Sequence, residues 1–242
     1  MRCPQCLEQV KESIKHCQCG FAFDNVASED LQNWFATVKQ TLESAYTTAD
    51  TSWQQSGKSG TFEEWTRLRI ANIAPVNRSG TYLDIGCANG YLLECLIVWA
   101  KLKGIEIIPY GLDYSNKLAA LAQQRLPFLN SIFVGNAWNW LPPNRFDYVR
   151  TELDYVPRNY RKAFIKKLLT KFVTNNGRLI ISQYRSSHDD LTQGWIDKEI
   201  EMYGFTVVEV HSGYSKFGLE LCRVVVLPSQ LRSSQATNND ND

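Results

Sequence analysis

"TYLDIGCANGYLLE", residues 81–94, constrains the chain more than any other stretch. Thr81 to Ile85 is alternating and β-branched, the pattern of a short strand. Leu92, Leu93, Leu96 and Trp99 then recur at helical spacing. Between them, Gly86-Cys87-Ala88-Asn89-Gly90 is a tight strand-to-helix turn. Backbone N–H groups at such a helix start can face a ligand, and glycine lets the chain approach it closely. The spacing sorts the ligands. A phosphate loop requires Lys-Ser/Thr after its last glycine, and Gly90 is followed by Tyr91-Leu92. A dinucleotide fingerprint wants glycines at its first, third and sixth places, which hold Gly86, Ala88 and Tyr91. What remains is Asp-x-Gly-x-x-x-Gly, with Asp84 at the strand end. A carboxylate there suits a ligand with a cationic amino-acid end better than a pyrophosphate.

Strands and helices alternate from residue 81 onward. The pattern predicts strands near 81–85, 107–113, 131–134, 145–150, 178–183, 205–210 and 219–227, and helices near 90–102, 115–126, 158–173 and 190–203. Alternation of this kind implies parallel strands joined by crossover helices on both faces. The last two strands, separated by the turn-rich "HSGYSKFG", read as a hairpin. Upstream, Ser28 can cap a helix with Leu31, Trp34, Phe35, Val38, Leu42 and Tyr46 on one face. Thr61-x-x-Glu64 is a capping box opening a second helix that carries Trp65, Leu68 and Ile73. The polar "TTADTSWQQSGKSG" between the two helices is expected to lack regular structure and to form a lid over the ligand. The expected organisation is a metal-binding segment (1–26), a helical cap (27–76), the α/β domain (77–228) and a polar, disordered tail (229–242).

A formal net charge of +1 over 242 residues gives no global field towards nucleic acid or membrane. No apolar run approaches the roughly 18 residues that span a bilayer, and no signal-peptide pattern opens the chain, so a cytoplasmic location without membrane contact is expected. Four of the seven cysteines stand as Cys3-x-x-Cys6 and Cys17-x-Cys19. Two closely spaced pairs beside turn residues supply the four thiolates of a structural Zn²⁺ site. The segment resembles a zinc ribbon of the short variant ending Cys-x-Cys-Gly-aromatic-x-Phe, with one spacer in its second pair instead of two.

In an open α/β sheet, ligands bind outside the carboxyl ends of the strands. The second strand ends "YGLDYS", placing Asp113 where a carboxylate can accept both hydroxyls of a ribose, with Tyr114 beside it. The third ends "FVGNAWNW", with Asn136 to pair with an adenine edge and Trp138 to pack on its face. The fourth ends "FDYVRTELDYVP", with Glu152, Asp154 and Tyr155 at or beyond it. These stretches, with "WQQSGKSGTFEEW" upstream, resemble a bacterial group of class I S-adenosylmethionine-dependent methyltransferases. The resemblance covers roughly residues 50–227. It implies a Rossmann-like seven-stranded sheet, mostly parallel with an antiparallel C-terminal strand. It also implies that S-adenosylmethionine is held by Asp84, Gly86, Cys87, Ala88, Gly90, Asp113, Tyr114, Asn136, Ala137, Trp138 and Glu152. Asn136 stands where that family usually has Asp.

Methyl transfer from a sulfonium is an in-line displacement, in which the enzyme mainly aligns and desolvates its reactants. Where the acceptor must lose a proton, Glu152 and Asp154 are the carboxylate candidates and Tyr155 a positioning group. No Asn/Asp-Pro-Pro-aromatic sequence follows the fourth strand, which argues against methylation of exocyclic base amines. None of Cys87, Cys95 and Cys222 is placed as a pyrimidine C5 nucleophile. A small-molecule acceptor is expected. One alternative is a tRNA or rRNA methyltransferase using the ribbon and a basic helix face of Arg158, Arg161, Lys162, Lys166, Lys167 and Lys171. Another is a non-catalytic adenosylmethionine-binding protein.

Overall fold

The computed structural model describes residues 28–57, 60–127 and 131–229. Cys3, Cys6, Cys17 and Cys19, the polar tail and the capping side chain of Ser28 lie outside the described residues. Helix α1 (Ser28–Thr47) comes first, followed by a single 3-10 turn at Gln54–Ser56. Part of the stretch expected to be irregular thus forms a regular turn. Helix α2 (Phe62–Arg69) opens as its capping box demands, with Thr61 Oγ1 accepting the Glu64 N–H at 3.2 Å. Trp65 and Leu68 point from α2 into the core.

The central sheet begins with β1 (Gly80–Ile85), and α3 (Tyr91–Leu102) follows the glycine turn. Then come β2 (Ile107–Asp113), α4 (Asn116–Arg125), β3 (Ile132–Val134), β4 (Phe146–Thr151), α5 (Arg161–Lys171) and β5 (Val173–Tyr184). The chain ends in α6 (Ile196–Met202), β6 (Glu209–Tyr214) and β7 (Glu220–Pro228). The strand order is β3-β2-β1-β4-β5-β7-β6. Strands β1 to β5 pair in parallel, and β7 enters antiparallel between β5 and β6. Order reverses beside β1, which places the carboxyl ends of β1, β2 and β4 around one crevice.

The pleat sends alternate side chains of β1 to opposite faces. Leu83 and Ile85 join a core cluster under α1, α5 and α6, while Tyr82 joins a second one under α2 and α3. A sheet buried on both faces must be apolar on both, as "LIIS" in β5 and "VVVL" in β7 are.

Three elements depart from the expected pattern by more than three residues. Strand β6 starts at Glu209 and runs through "HSGY", which was expected to be turn. Gly213 lies inside the strand because α2 presses on it: a Cβ there would meet the Leu68 carbonyl oxygen at 2.7 Å. The turn begins instead at Ser215, whose Oγ accepts the N–H groups of Phe217 and Leu219. Helix α6 starts at Ile196, not near 190. Asp190 Oδ1 ties up the Thr192 N–H and hydroxyl in a turn, and Gln183 Oε1 accepts the Ile196 N–H. Strand β5 begins at Val173, five residues early.

Helix α5 corrects another expectation. Its stripe of Tyr160, Phe164, Leu168 and Phe172 is buried as expected, but Lys167 is buried too. Its ammonium donates to the carbonyls of Ala137 (2.8 Å), Trp140 (3.1 Å) and Trp138. Arg161 turns to Glu199 and Asp154. The continuous basic face does not form; only Arg158, Lys162 and Lys171 of the six are exposed. Replacing Lys167 with Met keeps the apolar stem but leaves three carbonyls without their donor. Urea unfolding should show a loss of about 2–3 kcal/mol; an unchanged midpoint would mean that the loop 137–140 does not depend on this ammonium.

Candidate active site

The glycine turn takes a conformation that few residues tolerate. Gly86 and Gly90 both have φ of 76° and Ala88 has φ of 47°. Two causes fix Gly86. Its φ is left-handed, and a Cβ there would lie 2.2 Å from the Tyr155 hydroxyl, whose ring covers the turn. At Gly90 a Cβ would meet Ala122 Cβ at 3.1 Å, so this glycine serves the packing of α3 on α4. Asn89 locks the turn from behind. Its Oδ1 accepts the Tyr91 N–H at 3.1 Å, and its Nδ2 donates to the Ser52 carbonyl (3.0 Å) and Gln55 Oε1 (3.1 Å). Arg125 Nη2 reaches Ser52 Oγ at 2.8 Å. The segment around Trp53 is thereby fastened to the turn.

Asp113, at the end of β2, is buried and accepts the Ala88 N–H on Oδ2 (2.9 Å) and the Ser115 N–H on Oδ1 (2.8 Å). Burial pushes its carboxyl up to about 6 against those two donors. Asp84 is also buried. Its Oδ1 accepts from Arg150 Nη1 at 3.3 Å, and its Oδ2 has no hydrogen-bond partner among the described residues. Burial pushes this carboxyl up to about 6 as well, with Arg150 pulling the other way. Arg150 lies opposite Asp84 across the β1–β4 pairing and is itself buried. Its other contacts are Glu152, Ser182 Oγ (3.3 Å) and the Tyr184 hydroxyl (3.4 Å). Burial opposes its charge, yet Glu152, Tyr184 and Asp84 more than offset that, so it titrates above the ordinary guanidinium range.

A cavity of about 780 Å³ opens over these strand ends. Its floor holds Asp84, Gly86, Cys87, Ala88, Asp113 and Arg150. Tyr114, Asn136, Ala137, Glu152, Asp154 and Tyr155 line its sides. Its roof is α1, held down by Glu43, which accepts from Ser115 Oγ and pairs with Lys117 at 2.8 Å. Phe35 meets Tyr114 edge-on, and Lys39 sits 5.0 Å from the centre of the same ring.

A crevice of this kind at the strand ends has counterparts among solved structures. The chain is similar to the 1,6-didemethyltoxoflavin-N1-methyltransferase of Burkholderia thailandensis, solved with 1,6-didemethyltoxoflavin and S-adenosylhomocysteine. The TM-score is 0.57 at 15% identity, over 84% of this chain and 91% of that one. It is similar to magnesium protoporphyrin IX methyltransferase from Synechocystis PCC 6803 with bound S-adenosylmethionine, with a TM-score of 0.52 at 19% identity over 80% and 97%. It is also similar to DhpI in complex with S-adenosylhomocysteine (0.54, 18%, 84% and 98%). The fold is that of the S-adenosylmethionine-dependent methyltransferases. No protein-family model and no curated protein sequence matches the chain.

Against this methyltransferase fold, most of the expected site residues come together at one cavity. Two do not line it. Trp138 packs its ring on Tyr160 and Phe164, at centroid distances of 5.3 and 6.5 Å, and belongs to the core. Gly90 faces Ala122, as above. Asp154 reaches only the entrance, exposed and paired with Arg161 at 2.6 Å. Asn136, expected to pair with an adenine edge, commits its Oδ1 to the Trp138 N–H at 2.9 Å. Burial pushes the thiols of Cys95 to about 11, Cys222 to about 12 and Cys87 well above its ordinary value, which makes all three poor nucleophiles. Among the described residues no cluster of His, Cys, Asp and Glu could hold a metal, and no helix is long and apolar enough to cross a membrane.

Sequence reasoning passed over Arg150, Tyr184 and Asn89. Arg150 had a signal: a cation near the carboxyl end of a largely buried strand, two residues before Glu152. The pairing of β1 with β4, which makes it a partner of Asp84, had none. Gly86→Ala should cost about 1–2 kcal/mol for the left-handed backbone alone. The collision with Tyr155 adds to that. In urea unfolding, Tyr155→Ala in the same background should recover the collision but not the backbone cost; strictly additive effects would place Tyr155 elsewhere.

Proposed function

We propose that the protein transfers a methyl group from S-adenosylmethionine to a small-molecule acceptor. One observation carries the reading. Asp84, the Gly86–Ala88 turn and Asp113 line one cavity, and Oδ2 of Asp84 is buried with no hydrogen-bond partner among the described residues. The residues fit this group. Gly86 lets the Tyr155 ring close on the bare backbone beside the cavity, and Asp113 has lone pairs left for ribose hydroxyls. Bound there, S-adenosylmethionine supplies a methyl group on a sulfonium. The chain itself binds, aligns and excludes water. Arg150 fixes Glu152 and Asp84 at the strand ends, and Tyr155 closes over the turn. The small-molecule reading is supported by a cavity roofed by α1 and by the loss of Lys167 from the basic face; relatives in fold include enzymes named for a porphyrin and for a toxoflavin precursor.

Cofactor binding has a defined pH dependence. The pKa values of Asp84 and Asp113 are raised from 3.8 to about 6. A carboxyl raised on folding stabilises the fold fully below its ordinary value, and that contribution is lost as pH rises through about 6. Ligand binding has the opposite sign, because the carboxylate form that accepts hydroxyls is lost as pH falls through about 6. Calorimetry with S-adenosylhomocysteine should show affinity falling by about tenfold per carboxylate between about pH 7.5 and about pH 5. Over that window these two groups should make the unliganded protein more stable. Asp113→Ala should weaken binding by about 1.5–3 kcal/mol and remove part of the pH dependence. Unchanged affinity in a folded Asp113→Ala protein would remove Asp113 from the site.

For the N-terminal segment we propose a structural Zn²⁺ on Cys3, Cys6, Cys17 and Cys19, a reading supported by their spacing alone. Replacing Cys3 and Cys6 with Ser should remove one metal equivalent by elemental analysis and leave S-adenosylhomocysteine affinity within a few-fold. Retained metal would reject the ligand set.

A further inference from the structure

Helix α1 carries more apolar surface than the protein covers. Leu31 and Phe35 are buried. Further along the same face, Val38, Leu42 and Tyr46 are only half-buried and line the cavity, and Trp34 is exposed at its edge. An amphipathic surface helix normally sinks its whole stripe into the core. Here the second half of the stripe looks onto open volume. At about 780 Å³ the cavity lies in the upper part of the range for small-molecule pockets, about 300–1,000 Å³, and has room for a second ligand beside a nucleoside-sized one.

The loop 185–188, which follows β5, also lines this cavity. The loop is anchored. The Arg185 N–H donates to the Leu221 carbonyl at 2.8 Å, and its guanidinium lies 3.8 Å from the Trp195 ring centre while donating to the carbonyls of Gln193 and Gly194. Ser186 N–H donates to Asp189 Oδ2 at 2.7 Å. Several of the charged groups lining the cavity are engaged, while Glu64 lines it from α2. Lys39 sits over Tyr114, Glu152 pairs with Arg150, and Asp154 with Arg161. The imidazole of His188 makes no hydrogen bond to the protein among the described residues, and it lines the same space. A neutral imidazole has one ring nitrogen with a lone pair that can accept a proton from a bound group.

Resting on the methyl-transfer reading, we propose that the space between α1 and the 185–188 loop holds the acceptor, a small molecule with an apolar, ring-sized body and an ionisable hydroxyl or amine, and that His188 receives its proton. The acceptor's lone pair forms the bond to the methyl carbon. The electron pair of the broken carbon–sulfur bond stays on the donor's sulfur, turning the sulfonium into a neutral thioether. The acceptor's proton passes to His188 and from there to water. Charge and atoms balance, and no further reactant enters. Val38, Leu42 and Tyr46 select for the apolar body, and His188 for the ionisable end.

The test uses the full chain saturated with S-adenosylhomocysteine and 4-nitrophenol as the acceptor probe, whose phenolate is visible by absorbance. The probe should bind with measurable heat. Val38→Asp and Leu42→Asp should each weaken it by about tenfold or more, because a carboxylate would replace apolar contact. Their S-adenosylhomocysteine affinity should stay within about twofold, which also reports that the variants fold. Bound nitrophenol should ionise at lower pH than free nitrophenol, and His188→Gln should reverse that displacement without changing S-adenosylhomocysteine affinity. Absence of probe heat with S-adenosylhomocysteine bound, or Asp variants that bind the probe like the parent, would overturn the acceptor site. A nitrophenol titration that ignores His188→Gln would overturn the role of His188. Absence of S-adenosylhomocysteine binding would instead remove the methyl-transfer reading beneath it.

Discussion

The ion pair between Asp84 and Arg150 organises the carboxyl ends of the central strands. The two residues stand opposite each other in the β1–β4 register, and both side chains are almost wholly buried. Such a pair is a poor way to stabilise a sheet. Desolvating both charges costs several kcal/mol per ion, and well-packed apolar residues would serve the core as well or better. Its value lies in what it arranges. Arg150 also binds Glu152, Ser182 and Tyr184, so one guanidinium sets the relative positions of β1, β4 and β5 where the cavity begins. Asn72 extends the network from the turn after α2, accepting from Ser182 Oγ at 2.6 Å and donating to the Tyr184 hydroxyl at 2.8 Å. Removing either charge would strand the other in the interior.

This network also explains why Glu152 is a weaker candidate base than its position suggests. A carboxylate that holds a buried guanidinium has a structural task, and taking a proton would loosen Arg150 from β4. Asp154 is spent on Arg161 at the entrance. The carboxylates that look catalytic in "RTELDY" are therefore occupied with charge balance, and the proposed mechanism takes its proton acceptor from another element. That shifts attention from β4 to the loop after β5, which the sequence marks only as "RSSHDD".

Legibility in the sequence followed the range of the interactions involved. The glycine turn, the capping box at Thr61 and the strands β1 to β4 are local matters of propensity, sterics and pleat alternation, and they stood within a residue of where they were expected. Asp113 was legible because its distance from the turn is a property of one βα unit. Failures arose where a distant segment overrode the local pattern. Gly213 reads as turn until α2 is known to press against it. Lys167 reads as solvent-facing until the loop 137–140 presents three carbonyls to it. Trp138 reads as a ligand platform until Tyr160 and Phe164 claim its ring. Arg150 shows the same limit from the other side, since its residue type was conspicuous but its partner was fixed only by strand order.

Helix α1 illustrates how far a periodic pattern can carry an argument and where chemistry must take over. Its apolar stripe was visible as a stripe, and stripes ordinarily mean core. The sheet beneath it, however, falls away into the cavity past Phe35, so Val38, Leu42 and Tyr46 meet open volume. Had the helix been free to settle, hydrophobic burial would have drawn it down and closed the space. Polar ties hold it at its present height, with Glu43 bound to Ser115 and Lys117 at the start of α4, and Lys39 over the ring of Tyr114. Those ties join the roof to the strand end that carries Asp113. A helix propped over a cavity in this way leaves its remaining apolar surface for a ligand to cover, and under the proposed function it joins the part of the site that would read the donor to the part that would select the acceptor.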